Sequence, residues 1–474
     1  MSLEGAIAAN RFGLGARPGE IARASGNPKT WLMDQMNAPG PRLVPLDGRS
    51  FPNAGELVAE EAEFKVEKFM NKGNKQKGIK GVKGLKPQMT EAERTEKKIN
   101  SGGGNIRREE YVDEIAARFA LGITTDRPFA ERVVRFWSNH FAISAKKPKI
   151  LLFAGDFERE AIRPHINANF EDMLFAVVMH PAMQIYLDNW HSFGPNSLVG
   201  RNRKKGVNEN LGRELMELYT LGVDGGYTQA DVIAMAKLLT GWGIYKDRAD
   251  GFGFYEDRHE PGPITLRGKT YPAGWDGSVA AVRDLAHDPS TARNIARKFA
   301  AHFISDDPPK ESVMRLEKVF KETKGNLHAL NEAIVNDPAA WQPEQRKMRT
   351  PVEYVTAAMR GTGWAPADDG HGGRGIHGLL AAVRVMGEVP LAPTSPKGWP
   401  DNADAWNGSD AMLARIQWAR NFSALLSQAP NANAMAEAGL GPQLRPATKI
   451  AMAGASTPSE AVALLLASPE FQRR

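Results

Sequence analysis

The sequence predicts a mainly α-helical protein, a multi-helix body interrupted by one glycine- and aromatic-rich excursion that folds as short strands or a β-hairpin. Two observations carry this. Apolar residues recur at helical spacing in most segments of the chain. Between Gly243 and Gly277 that period is lost, and seven glycines stand among Phe252, Phe254, Tyr255, Tyr271 and Trp275, a pattern suited to strands and turns.

The elements follow in order. Residues Ala6 to Met36 read as helical and end in Asn37-Ala38-Pro39-Gly40-Pro41. A proline loop leads to a helix near Gly55, then to a lysine-rich insertion over 65–104 closed by Ser101-Gly102-Gly103-Gly104. Tyr111, Ile115, Phe119 and Ala120 mark a helix from Arg107 to Leu121. Pro128 opens the next, in the first turn where its missing N–H is not needed, and that helix delivers Asn139 and His140 at its end. Glu158–Asn167 and Phe170–Trp190 read as two more. After the hairpin over Asn208–Trp242 and the excursion over 243–280, helices are expected at Ser290–Phe303, with Ser290 or Thr291 as cap, at Lys310–Val335 and at Pro351–Arg360. Gly361–Gly378 is a loop, Arg384–Trp406 is extended and proline-rich, and the alanine-rich end is helical. There is no internal repeat. The whole chain, 1–474, reads as one helical unit of one large or two closely joined lobes.

The stretch from Asn208 to Gly222 organises the rest. Leu211, Leu215 and Leu218 form an apolar stripe, while Asn210, Arg213, Glu214 and Glu217 share the opposite side. Gly222 occupies a C-cap position. After Asp224-Gly225-Gly226, Thr228 and Asp231 stand as N-cap and N3 of a second helix that runs to Thr240-Gly241-Trp242.

Composition narrows the function. The chain of 474 residues is 42% hydrophobic and 24% charged and has no cysteine, so disulfides, iron–sulfur clusters and thiolate zinc sites are excluded. No apolar run is long enough for a membrane span. No export signal precedes Asn10-Arg11-Phe12, which favours the cytoplasm for the sequence as given. The net charge of +6 is local: Lys65 to Lys86 hold eight lysines and one glutamate, leaving the remainder near −1. Without interleaved aromatics or arginines this is read as a flexible solvated insertion, and no nucleic-acid partner is expected. Metal-binding, Walker and nucleophile-elbow motifs are absent, and no cofactor is indicated.

The block Asn208-Glu209-Asn210 … Arg213-Glu214-Leu215 … Glu217-Leu218 … Thr220-Leu221-Gly222, with Gly226-Tyr227 and Thr240-Gly241-Trp242, resembles the signature of a bacterial family known as domain of unknown function 1800. Further similar blocks are Asn10–Gly15, Phe136–Phe141, Glu160–His165, His180–Met183, Lys347–Glu353, Lys397–Pro400 and Ser468–Phe471, so the resemblance covers nearly the whole chain. It implies no specific reaction. It does imply a companion role beside a sulfatase-like partner protein and a tendency toward export. Where the family pattern has His-Asp-x-Gly-x-Lys, this chain has His259-Glu260 and ends in Ile264, which puts lysine chemistry there in doubt.

Two functions are carried forward. The first is a non-catalytic binding or assembly role, with the polar face of the Asn208–Gly222 helix buried as a network. The alternative is a carboxylate-dependent hydrolase or lyase acting on a polar polymer such as a carbohydrate. In it Glu214 and Glu217 serve as acid and base, Arg213 holds one of them ionised, and His140 or Asp188 completes the cleft. Asn210, Arg163, Trp242 and His259 are the candidate substrate contacts, and Trp275 and Trp399 are further stacking surfaces. Each has a plainer reading: Arg213 and Glu217 as a solvated pair, His140 as a core histidine, Arg163 as a carbonyl cap and Asp188 as a helix terminus.

Overall fold

A computed structural model describes residues 1–63, 103–364, 374–426 and 431–474. Most of the 65–104 insertion and part of the 361–378 loop lie outside the described residues. Helices dominate, and the only strands among the described residues form two small antiparallel hairpins. In the first, Trp242 pairs with Phe254 and Ile244 with Phe252. In the second, Ile264 pairs with Tyr271 and Leu266 with Lys269. Each two-stranded unit is too small to stand alone, and each buries aromatic or aliphatic residues against the helical body, Trp242, Phe252, Leu266 and Tyr271 among them. The excursion ends sooner than expected, because Trp275 begins a helix that runs to Ala286.

Local signals place most helix starts. Pro128 opens Pro128–His140. Thr228 with Asp231 and Thr350 with Glu353 form complete capping boxes at the starts of Gln229–Leu238 and Pro351–Thr362, each joining two otherwise orphaned amides to side-chain oxygens. The helix expected at Ser290 begins at Pro289, and the cap is Asp288, whose side chain accepts from the Ser290 amide.

Several expected long helices are broken, for identifiable reasons. Phe170–Met179 stops at His180, whose backbone is extended (φ −62°, ψ 135°) ahead of Pro181, as proline demands of the residue before it. Lys310–Glu322 and Leu327–Val335 are separated by Lys324 and Gly325, both at positive φ. The N-terminal region is a series of short helical pieces rather than one helix. Three of these interruptions are π-turns, at Ala8–Phe12, Glu158–Ile162 and Leu215–Tyr219. Each falls on one of the sequence blocks singled out above. A π-turn shifts the hydrogen-bond register and leaves carbonyl groups for other partners.

One continuous apolar core runs among the described residues from Ile7 to Phe471. It is threaded by arginines buried as deeply as its leucines: Arg11, Arg132, Arg349, Arg360, Arg415 and Arg474 are each at most 1% exposed. They serve as multi-pronged donors. Arg360 donates to the carbonyls of Gly15 and Gly122 and to both oxygens of Glu20. Arg349 donates to Asn10 Oδ1 and the Phe471 carbonyl, so sequence blocks from both ends and from 347–353 meet in space. Guanidinium suits this task because its five N–H groups spread over several acceptors at once.

Candidate functional site

The Pro128–His140 helix, the Pro289–Phe303 helix and the extended segment from Glu388 to Asp401 enclose a cavity of about 290 Å³. The first helix contributes Arg135, Phe136, Asn139 and His140; the second contributes Arg297, Lys298 and His302; the segment contributes Glu388, Lys397, Trp399 and Asp401. Trp399 is fixed by reciprocal bonds to one side chain: Asn139 Nδ2 donates to its carbonyl at 2.8 Å, and its amide donates to Asn139 Oδ1 at 2.7 Å. Gly398 makes this approach possible. Its φ is +79°, and a Cβ there would lie 2.4 Å from the Asn139 carbonyl oxygen.

The Asn208–Gly222 stretch does not line the cavity, but its backbone anchors two residues that do, His140 and Lys298. The helix Asn210–Glu214 passes into the π-turn Leu215–Tyr219. Its terminal carbonyls are taken by side chains from other helices. Lys298 Nζ donates to the Leu218 carbonyl at 2.8 Å, His140 Nε2 to the Tyr219 carbonyl at 3.1 Å, and Asn294 Nδ2 to the Thr220 carbonyl at 2.7 Å. Placing an ammonium here satisfies both an orphan carbonyl and the negative end of the helix dipole. Because His140 Nε2 donates, Nδ1 presents its lone pair, 3.4 Å from Lys298 Nζ. Burial and the Lys298 charge hold the His140 pKa well below the usual histidine range, so the ring is neutral.

Lys298 is the unusual group. It is partly buried, and its hydrogen-bond partners are one carbonyl and one neutral imidazole. Burial, with a smaller contribution from Arg297, brings its pKa down to about 8. The acids around the cavity are satisfied elsewhere. Glu158 is held by Arg163 and Arg118, and Glu353 by Arg132 and Arg474. Asp401 is held by Lys347 and His302 and brought down to about 2, overcoming its burial. His302 Nδ1 lies 2.9 Å from Asp401 Oδ2, while its Nε2 is buried without a hydrogen-bond partner. Burial lowers the His302 pKa, so Nδ1 carries the proton and Nε2 the lone pair. Glu388 is raised by burial. Arg135 is lowered to about 10 by burial, and its Nε has no hydrogen bond.

The structure brings only part of the sequence-derived set into this cavity. His140 lines it, as do Asn139 and Trp399. Glu214 and Glu217 are half-buried outside its lining. Burial first, then the charge of Glu217, raises the Glu214 pKa; Arg213 and, less strongly, Lys397 pull it the other way. Arg213 pairs with Glu209 at 2.9 Å and with Gln229, not with Glu217. Asn210 is exposed. Asp188 pairs with Lys147 at 2.7 Å, in a left-handed backbone conformation (φ 57°). Arg163 sits behind the wall, donating to Glu131, Glu158 and the Pro41 carbonyl. Trp242 is 1% exposed and packs on Trp275 at 5.1 Å, leaving no open face for a ligand. His259 has both ring nitrogens engaged, with the Thr240 carbonyl and the Gly274 amide, each at 2.8 Å, and ties the two hairpins to the helix start at Trp275.

Sequence reasoning missed Lys298, His302, Asp401, Arg135 and Glu388. One signal was available. Lys298 and His302 stand four apart, on one face of a helix, and Asp401 directly follows the Lys397–Pro400 block. Their convergence with His140 depends on packing between segments more than 90 residues apart.

The family model described as "Protein of unknown function (DUF1800)" matches residues 7–473. Neither the curated proteins nor the solved structures yielded a match. With the family model spanning nearly the whole length, the chain belongs to the DUF1800 family.

Proposed function

We propose that this chain is a binding protein whose cavity takes a compact anionic ligand. The observation that carries this reading is Lys298: a cation on the cavity wall whose neighbours are a carbonyl and a neutral imidazole, while each nearby ionised acid already has a cation of its own. An ammonium so placed gains most from an anion that supplies the missing charge. Arg135, on the lining with its Nε turned to Glu131 at 3.6 Å, adds a second positive charge, and Arg297 and Lys397 stand exposed along the same lining. Phe136, Ile143, Leu391 and Trp399 offer apolar contact to the rest of the ligand. A volume of about 290 Å³ lies at the small end for ligand pockets, roughly 300–1,000 Å³, and suits a single carboxylate, sulfate or phosphate ester. A sulfatase-like companion belongs to the same proposal, as a protein acting beside a binder.

Calorimetric titration with small carboxylates, sulfate esters and phosphate esters tests it. At least one class should bind with an affinity that falls as salt is added, and Lys298→Met should weaken it by about tenfold or more, the worth of a charge-assisted hydrogen bond. Binding that is indifferent to Lys298→Met, or absent across the panel, overturns the proposal.

A hydrolytic role for the same cavity is the second reading, favoured by the Asp401–His302 pair. Asp401 orients the ring through Nδ1, and the unbonded Nε2 is the atom that would take a proton from water. This form of the carboxylate-dependent alternative moves its centre from Glu214 and Glu217 to Asp401. Turnover of a bound ester that is lost in His302→Gln, with ligand affinity retained, would support it over binding alone.

A further inference from the structure

We propose that Asp156, Glu160 and His180 form a binding site for a divalent transition-metal ion of the zinc or manganese class, with two carboxylate oxygens and one imidazole nitrogen as ligands. The site is separate from the anion cavity and does not rest on that reading. Its three ligand atoms lie within 4.8 Å of one another. His180 Nε2 is 3.2 Å from Asp156 Oδ2 and 3.9 Å from Glu160 Oε2. Bonds of about 2.0–2.2 Å to one ion place neighbouring ligand atoms roughly 2.9–3.6 Å apart, so two atoms already have the spacing and Glu160, partly exposed, needs a small side-chain movement.

The second observation is what these atoms lack. Asp156 is fully buried and His180 is 6% exposed, yet Asp156 Oδ2 and His180 Nε2 each have no hydrogen bond. They are close but not aligned for a bond to one another. Buried polar atoms left this way are uncommon and call for a partner. The rest of each side chain is engaged: Arg159 holds Asp156 Oδ1 at 3.3 Å, and the Ala54 amide donates to Glu160 Oε1 at 3.3 Å. These contacts aim the remaining oxygens inward, as supporting contacts around metal ligands do.

The imidazole selects the ion. Magnesium and calcium favour all-oxygen shells, whereas one nitrogen with two carboxylates suits a transition ion. His180 Nδ1 accepts from the Ala182 amide at 3.1 Å, so Nε2 carries the ring proton. Metal binding at Nε2 requires that proton to move to Nδ1, exchanging through solvent, so the Ala182 amide loses its acceptor, which gives a readout beyond affinity. Arg159, fixed against Asp156, tempers the attraction, so the site is of moderate rather than extreme affinity.

Chelator-stripped full-length protein, titrated with zinc, manganese, magnesium and calcium chlorides, decides the matter. One zinc or manganese ion per chain is expected, with magnesium and calcium much weaker, and Ala182 amide exchange should quicken on binding. His180→Asn keeps a helix-capping acceptor while removing the imidazole, and Glu160→Gln changes a partly exposed group that the fold tolerates. Both should weaken binding by about tenfold or more. If His180→Asn fails to fold, Glu160→Gln decides. Absence of saturable binding, equal affinity for magnesium, or binding unchanged in Glu160→Gln overturns the proposal.

Discussion

The glutamate-bearing side of this cavity and its lysine-bearing side treat buried charge in opposite ways. Glu158 and Glu353, on the lining, are matched from behind: Arg163 lies between Glu131 and Glu158, with contacts at 2.7 and 2.6 Å, and Glu353 lies between Arg132 and Arg474. Every charge there has its opposite. On the other side, Lys298 has a carbonyl and a neutral histidine and no acid. A matched buried pair fixes geometry, and its loss is costly because one charge is stranded. A cation without an acid carries its desolvation cost in the folded state and recovers it when a ligand arrives. Partnering, more than burial, separates the structural charges of this molecule from those available for function.

Mutation on the matched side should have the largest effect. Arg163→Ala leaves Glu131 with only Arg135, at 3.6 Å, and Glu158 with only Arg118, and should lower the unfolding free energy by about 3 kcal/mol in denaturant titrations. Adding Glu131→Gln to that variant should recover part of the loss. If Arg163→Ala melts like the wild type, the contrast between the two sides collapses.

Lys298 should behave in the opposite sense. Its folded pKa, about 8, lies below its ordinary value, so the folded protein gives up this proton before the unfolded chain does. The penalty is fully present below pH 8 and is relieved as pH rises from about 8 toward 10.5. Lys298→Met should therefore be neutral or stabilising at pH 7, with an advantage over the wild type that shrinks by about 3 kcal/mol across that window. A destabilised Lys298→Met at pH 7 would mean that the carbonyl contacts outweigh desolvation.

The polar face of the Asn208–Gly222 helix lies between these extremes and should respond least. Glu214 has its pKa raised by burial and by Glu217. A raised carboxyl favours the fold most at acid pH and loses that advantage as pH climbs through its folded value. Glu214→Gln should thus melt at or slightly above the wild type at pH 7. Arg213→Ala removes a half-exposed pair with Glu209 and should cost less than about 1 kcal/mol. A large loss in either variant would restore this face as a buried network.

What the sequence by itself determined is local. Helical spacing, Pro128 at a helix start, the Thr228/Asp231 cap and the β excursion were all legible, because each is decided by residues within a few positions of one another. The Asn208–Gly222 stretch was legible as helical, but its link to the cavity is made by carbonyls at the end of a π-turn that hold His140 and Lys298, which no side-chain pattern announces. Tertiary structure alone decided which charges are matched. Arg213 chose Glu209 over Glu217, Arg163 turned away from the cavity, and His140, Lys298, His302 and Asp401 met across more than 250 residues of chain. The physical reason is that the energy of a buried charge depends on what surrounds it in three dimensions, and those neighbours come from segments whose mutual packing no local pattern encodes.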